Sequence, residues 1–469
     1  MNSSEGILLQ VQPFIALAPV DSLTPSSVPT ATILSSVANL SNTILGSGML
    51  AMPAAFSVVG LGFGLFLIGF AASTSALGLY LLALCAQRVG NRKTSFYAVS
   101  QLTYPRASLW VDLAIAIKCF GVSISYLIVI GQLMPQIMEY FGYTPGSLAT
   151  NRRLWITVFM IVLIPLASMR RLDSLRYTSI IALCSVVYLV MIVALAFLFR
   201  DHPIPWQHIH WFKLDWNFLS VLPVFVFGFT CHQNIFSIHN EIIDNSIPRV
   251  SRVLISSIGN GSIVYILIGS LGYLTFGDDV ESNILSMYKV NTFLTMGRFA
   301  VVLLSLFSYP LQCHPCRTCL LKVLDSLNTP RKTPSGQTYS SVNPDEASLE
   351  DPDAEVTPSA SESEVLFFIL TAGILLGTFS LALVVEKLDT VLAFVGSTGS
   401  TSISFILPGI FYLKLTSDQP PHIFESAAPL LPLGVSRHAA RRFVAYCLVI
   451  YGVLVMITCL SFNITKLLK

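Results

Sequence analysis

Charge is what this chain has least of. Only 11% of its 469 residues are Asp, Glu, Lys or Arg, and the formal net charge is +2. A soluble globular domain carries about 25% charged residues, so a water-facing fold is excluded. No run of basic residues interleaved with aromatics occurs, which sets nucleic-acid binding aside. Residues 1–30 are rich in Ser, Pro and Thr, without a basic region ahead of a short apolar core, so no secretory signal is read there. Nine cysteines are scattered through apolar segments rather than spaced as a disulfide framework, and read as small buried hydrophobes. No nucleophile–base pair or metal motif stands out, which argues against an enzyme, and no cofactor is implied.

What fills the space is hydrocarbon. Hydrophobic residues make up 54% of the chain, and the mean hydropathy is +0.71. A bilayer crossing takes about 20 apolar residues. On that measure eleven spans are expected, near 32–56, 58–86, 109–137, 153–169, 174–199, 217–240, 250–276, 291–322, 364–385, 388–414 and 440–464. The chain then divides into an N-terminal tail (1–30), spans 1–8 (31–324), a linker (325–363) and spans 9–11 (364–469). The linker holds five prolines and an acidic run from Asp345 to Glu355. Such a composition cannot bury a core and is expected to be disordered.

Lysine and arginine set the orientation. With the N-terminus in the cytosol, seventeen of the 27 fall on the cytosolic side and eight on the other. That bias places the N-terminus inside and the C-terminus outside or in a lumen. Two cations lie within spans. Lys118 is about 13 Å into span 3 at 1.5 Å per residue, where a charge is costly and functional by default. Arg298 lies barely two turns into span 8 and is expected to snorkel to the interface.

The first span interrupts itself. Gly46-Ser47-Gly48 falls at mid-depth, preceded by Asn39, Ser41, Asn42 and Thr43 and followed by Pro53. Inside a membrane every backbone amide and carbonyl must be paired, and each Gly weakens a helix by roughly 1 kcal/mol relative to Ala. Such a break is tolerable where the freed groups line a polar site. Transporters built from inverted repeats carry paired breaks in matching spans of their two halves. Five spans later, span 6 holds Pro223, Gly228, Phe229, Thr230, Cys231 and His232. Spans 1–5 and 6–10 would be the two halves, with span 11 peripheral. His232 could relay a proton, touch substrate or only cap the broken backbone. The plainer reading of the glycines and polar residues is close packing between helices.

Two further clusters carry weaker signals. The run from Cys313 to Cys319 has metal-like spacing but no second ligand pair, and acylation of Cys316 or Cys319 fits its place at a helix end better than zinc. His202, His208 and His210 fall in the loop after span 5 and read as solvated.

At these residues the chain resembles the amino acid/auxin permease family, which includes sodium- and proton-coupled neutral amino acid transporters. It is similar in particular to fungal vacuolar amino acid exporters. The resemblance rests on Asn42 to Gly48 and Pro53 in span 1, and on Asp112, Lys118, Gly121, Ser125 and Tyr126 in span 3. Phe229 to His232 with Asn240 and Glu241 carry it in span 6, Pro310 to Arg317 in span 8, and Gly396 to Pro408 in span 10. It implies an all-α, LeuT-type 5+5 inverted repeat plus one helix, with substrate between spans 1 and 6. The amino acid carboxylate would meet the amides of Gly46, Ser47 and Gly48, and its ammonium the carbonyls around Phe229 and Thr230. Sodium-coupled relatives bind the ion with a span 1 Asn, which Asn42 matches, and a span 8 Thr, where this chain has only Ser305 or Ser308. A proton, with His232 as a further coupling group, is the expected partner ion rather than sodium. Lys118 suits substrates with a side-chain carboxylate.

The expected function is amino acid export from a vacuole or lysosome lumen to the cytosol. Uptake at the plasma membrane and an amino-acid sensor signalling through 325–363 remain the alternatives.

Overall fold

The computed structural model describes residues 29, 31–90, 92–169, 176–200, 206–328, 360–417 and 437–468. The fold is all-helical, apart from one isolated parallel bridge between Ala31 and Ile242. The first span is two helices, α1 (Ile33–Ile44) and α2 (Gly48–Val59), bent by 53° at the junction. Then follow α3 (Leu61–Val89), the short α4 (Phe96–Thr103), α5 (Ser108–Tyr140), α6 (Arg152–Ala167) and α7 (Arg176–Leu198). The sixth expected span is also two helices, α8 (Phe218–Gly228) and α9 (Ile235–Glu241). The remainder is α10 (Ile247–Phe276), α11 (Ile284–Met287), α12 (Thr292–Asn328), α13 (Ala360–Val384), α14 (Leu388–Val395), α15 (Leu407–Leu415) and α16 (Arg437–Leu468).

Among the described residues eight helical stretches are long and apolar enough to cross a membrane, and nine with α1 and α2 taken as one bent span. The chain is a polytopic membrane protein. The fourth expected span coincides with α6, which at 16 residues is shorter than a straight crossing requires. The tail and nearly all of the linker fall outside the described residues. The linker's described edges, 325–328 and 360–363, are the ends of α12 and α13.

Local sequence explains the helix ends. Thr32 caps α1 reciprocally with Ser35, Ser95 accepts from the Ala98 amide to start α4, and Asn151 does the same for α6. Gly60, at φ +86°, makes the turn between α2 and α3, a conformation that a side chain would strain.

Burial sorts the helices into two layers. The windows of α5 and of α8–α9 are 78% buried, whereas those of α13 and α16 are 28% buried. The broken helices therefore sit at the centre, and α13 and α16 turn most of their surface outward, toward lipid.

Three sequence expectations need correction. Arg298 does not snorkel: it is fully buried, and its guanidinium donates to the carbonyls of Leu285 and Tyr288 at the end of α11. It neutralises orphan helix-end carbonyls instead of seeking water. Cys316 and Cys319 are also buried, which removes them as acylation sites, while Cys184 and Cys447 are exposed rather than buried. The loop after α7 is not simply solvated. His210 sits 3.5 Å from Asp278, and the His210 and Trp211 carbonyls accept from the amides of Leu61, Gly62 and Phe63; His202 lies outside the described residues.

Candidate functional site

At the first break the backbone leaves the helix for Leu45, Gly46 and Ser47. The Gly46 amide turns back to the Ile44 carbonyl at 2.9 Å, and α2 restarts at Gly48. The amides of Ser47 and Gly48 thus stand at a helix N-terminus, where the first four N–H groups have no intrahelical acceptor and the helix dipole favours an anion. The Ser47 hydroxyl is 2.7 Å from that of Ser125 on α5. A Cβ at Gly46 would sit 3.6 Å from the Tyr126 hydroxyl, so that ring lies directly over the break.

The second break is held from several sides. The Ser75 hydroxyl donates to the Phe229 carbonyl at 2.8 Å, and Thr230 donates back to Val226 at 2.7 Å. His232 is fully buried. Its Nε2 lies 3.2 Å from the Ser75 carbonyl, which can only accept, so Nε2 carries a proton. Its Nδ1 lies 3.0 Å from the Ser404 hydroxyl. Gly78 makes this possible: a Cβ there would collide with the Ser404 carbonyl and lie 2.9 Å from His232 Nε2.

One side chain joins the two breaks. The Tyr265 hydroxyl on α10 is 2.5 Å from the Ile44 carbonyl and 2.8 Å from the Gly228 carbonyl. Those are the carbonyls released where α1 and α8 end. A second link crosses lower down, from the Asn234 amide to the Thr43 hydroxyl at 2.7 Å.

Between α14 and α15 the chain makes two π turns, Gly396–Ser400 and Ser402–Ile406. Their glycines bring backbone against backbone: Gly396 meets the Pro223 carbonyl, and Gly399 faces the Ala114 carbonyl and the Lys118 amide. π turns recur at functional sites. Lys118 is buried here, its backbone packed against Gly399.

A cavity of about 530 Å³ begins beside the last turn of α1, at Asn42, Thr43 and Tyr126, and runs between α1, α5, α9 and α12 to the exposed Lys322. Of the site residues expected from sequence, Asn42, Thr43 and Ser308 line it. Gly46 lies behind Tyr126, which itself lines the cavity together with Ser308. Ser305 is elsewhere, buried with its hydroxyl on the Val301 carbonyl of its own helix. Phe229 packs its ring edge-on against Tyr265 at 5.2 Å; Phe229 to His232, like Ser47, Gly48 and Lys118, are not among the residues that line the cavity. On the opposite face, Lys213 ties the loop before α8 to Asp278 at 2.6 Å and to the Ser57 carbonyl at 2.9 Å.

Sequence reasoning did not single out Tyr265, Asn234 or Ser404. Each is an ordinary polar residue in an apolar run, and only the folded arrangement shows that it meets a break.

Comparison with known proteins agrees with this architecture. The profile described as "Transmembrane amino acid transporter protein" matches residues 29–425. Vacuolar amino acid transporter 5 of Schizosaccharomyces pombe is 42% identical, over 92% of this chain and 94% of its own length. Vacuolar amino acid transporter 6 of Saccharomyces cerevisiae is 37% identical, over 92% and 98%. Among solved structures, the nucleobase-cation-symport-1 family transporter Mhp1, in a closed conformation with bromovinylhydantoin bound, superposes with a TM-score of 0.56. It covers 95% of both chains at 13% identity, a likeness of fold alone.

Proposed function

The chain belongs to the transmembrane amino acid transporter family, and from that premise we propose that it is a secondary transporter moving amino acids from the vacuolar lumen to the cytosol, driven by protons. As a transporter it is not an enzyme. The observation that carries the reading is the pair of central helix breaks, joined by Tyr265, with a cavity that runs to one face from Tyr126 and the last turn of α1, next to the first of them.

The proposed architecture is eleven spans, a 5+5 inverted repeat with α16 outside it, the N-terminus cytosolic and the C-terminus lumenal. The charge bias supports that orientation, and it makes the cavity cytosol-facing. The substrate carboxylate takes the amides of Gly46, Ser47 and Gly48. The ammonium takes carbonyls at Phe229 and Thr230, where a carbonyl already holding one hydrogen bond keeps a second lone pair. Asn42 and Thr43 on one side and Cys231 and His232 on the other complete the walls.

Protons are favoured over sodium because Ser305 is committed to its own helix, leaving Asn42 and Ser308 as a thin ligand set for a metal ion. His232 is a coupling group whose protonation would act on Ser75 and Ser404. Lys118, on which no ion pair closes among the described residues, favours substrates with a side-chain carboxylate.

Proteoliposome flux of Glu, Gln, Tyr and Lys under imposed pH or sodium gradients tests the reading. Uptake stimulated by a proton gradient and indifferent to sodium is expected. Flux that follows sodium alone would overturn the coupling, and no flux of any amino acid would overturn the function. Lys118→Met is expected to lose glutamate flux before that of neutral substrates; equal loss would make Lys118 a structural group.

A further inference from the structure

The cavity extends far beyond the broken helices. Tyr126 and Asp112 both line it, and fourteen residues of α5 separate them, about 21 Å at 1.5 Å per residue. Ser308 and Lys322, also in its wall, are equally far apart on α12. Because Tyr140 meets Thr292 at 2.9 Å while the Cys316 thiol reaches the Ala116 carbonyl at 3.5 Å, the two helices run antiparallel and the cavity has two distinct ends. No amino acid held at Gly46–Gly48 can reach the second.

That second end has its own chemistry. Asp112 is 5% exposed, and it is the one carboxylate among the described residues lining the cavity. No ion pair closes on it among the described residues, and the Cys319 thiol beside it is a weak donor. A buried carboxylate held so lightly is costly to desolvate, and a cation recovers that cost. Lys322 stands at the opening with its ammonium 5.1 Å from the Tyr97 ring centre, and no ion pair closes on it either. Partway between the two ends, the Gln312 Oε1 is buried without a partner and also faces the cavity.

We propose that Asp112 and Lys322 form a second amino acid station at the mouth of the cavity, separate from the broken helices. The zwitterion sits with its ammonium on the Asp112 carboxylate and its carboxylate on the Lys322 ammonium. Opposite charges held apart in the protein match the opposite charges of the ligand, and Gln312 supplies an acceptor on the way. The station rests on the reading of the first break as a substrate site, since it is defined by its distance from that site.

Binding stoichiometry tests it. The purified full chain in nanodiscs is dialysed against an equimolar mixture of the common amino acids, and bound amounts are read by mass spectrometry. Two amino acids per chain are expected for the wild type, and one for Asp112→Asn, for Lys322→Gln and for Gly46→Val, the first two retaining the site at the broken helices and the third retaining the station. Lys322 is exposed, so its variant is not expected to disturb folding. One amino acid per wild-type chain, with normal flux in proteoliposomes, overturns the station and leaves the transport reading intact. Two per chain in both Asp112→Asn and Lys322→Gln also overturns it. Loss of one in Asp112→Asn with none lost in Gly46→Val upholds the station and overturns the assignment of the first break.

Discussion

The two helix breaks solve the same problem in opposite ways. At the first, three residues leave the helix and a new N-terminus follows at once, with Tyr126 and Ser125 beside it and the Tyr265 hydroxyl on the Ile44 carbonyl. At the second, side chains from α3, α10 and the π turns close on the backbone: Ser75, Tyr265 and, through His232, Ser404. A carbonyl without a partner inside a membrane costs several kcal/mol. Fixed protein donors meet that demand at both breaks, Tyr265 at the first and Ser75 with Tyr265 at the second, but the first also presents amides at a helix N-terminus. On the proposed reading that asymmetry makes the first break the receptive side and the second mainly the support.

Substitutions can break or sharpen this contrast. The largest effect is expected from Gly46→Val, which should abolish flux in vesicles while the protein still reaches its membrane; unchanged uptake would mean that the first break is not receptive. Tyr265→Phe comes next, because it strips the donor shared by the Ile44 and Gly228 carbonyls. It should cost about 1–3 kcal/mol of stability, read as a lower midpoint of thermal unfolding in nanodiscs, together with most of the flux. Ser404→Ala tests the support alone. It should cost about 1 kcal/mol and weaken flux less than Tyr265→Phe does; a larger loss of flux than of stability would give His232 an active part. The smallest effect is expected from Thr43→Val, which removes the Asn234 link at the cavity wall. Its KM should rise severalfold while the unfolding midpoint stays within the ordinary scatter of single substitutions.

Much of the framework was legible beforehand because it rests on periodic and compositional rules. Runs of apolar residues mark the spans, and Gly-Ser-Gly in a membrane helix marks a break. Span 6 was harder to read: Gly228 and His232 pointed to the interruption, but nothing in the letters said that Ser75, 154 residues earlier, would hold it. Long-range partners such as Tyr265 are invisible in a sequence, since a tyrosine in an apolar run has no local signature. Arg298 failed for the same reason. Its depth could be counted, but the waiting carbonyls of Leu285 and Tyr288 could not. Asp112 stood only among the span 3 residues that carry the resemblance; its place in the cavity wall depended on how α5 and α12 lie together.

The bridge between Ala31 and Ile242 has a mechanical consequence. The Ala31 amide donates to the Glu241 carbonyl at 3.0 Å and the Ile243 amide to the Ala31 carbonyl at 3.1 Å. Arg92 adds its guanidinium to the carbonyls of Asn240, Ile242 and Ile243. The start of α1 and the end of α9, 210 residues apart in the chain, are thereby fastened into a single lever. Tilting either half-helix must therefore carry the other with it or break these backbone bonds.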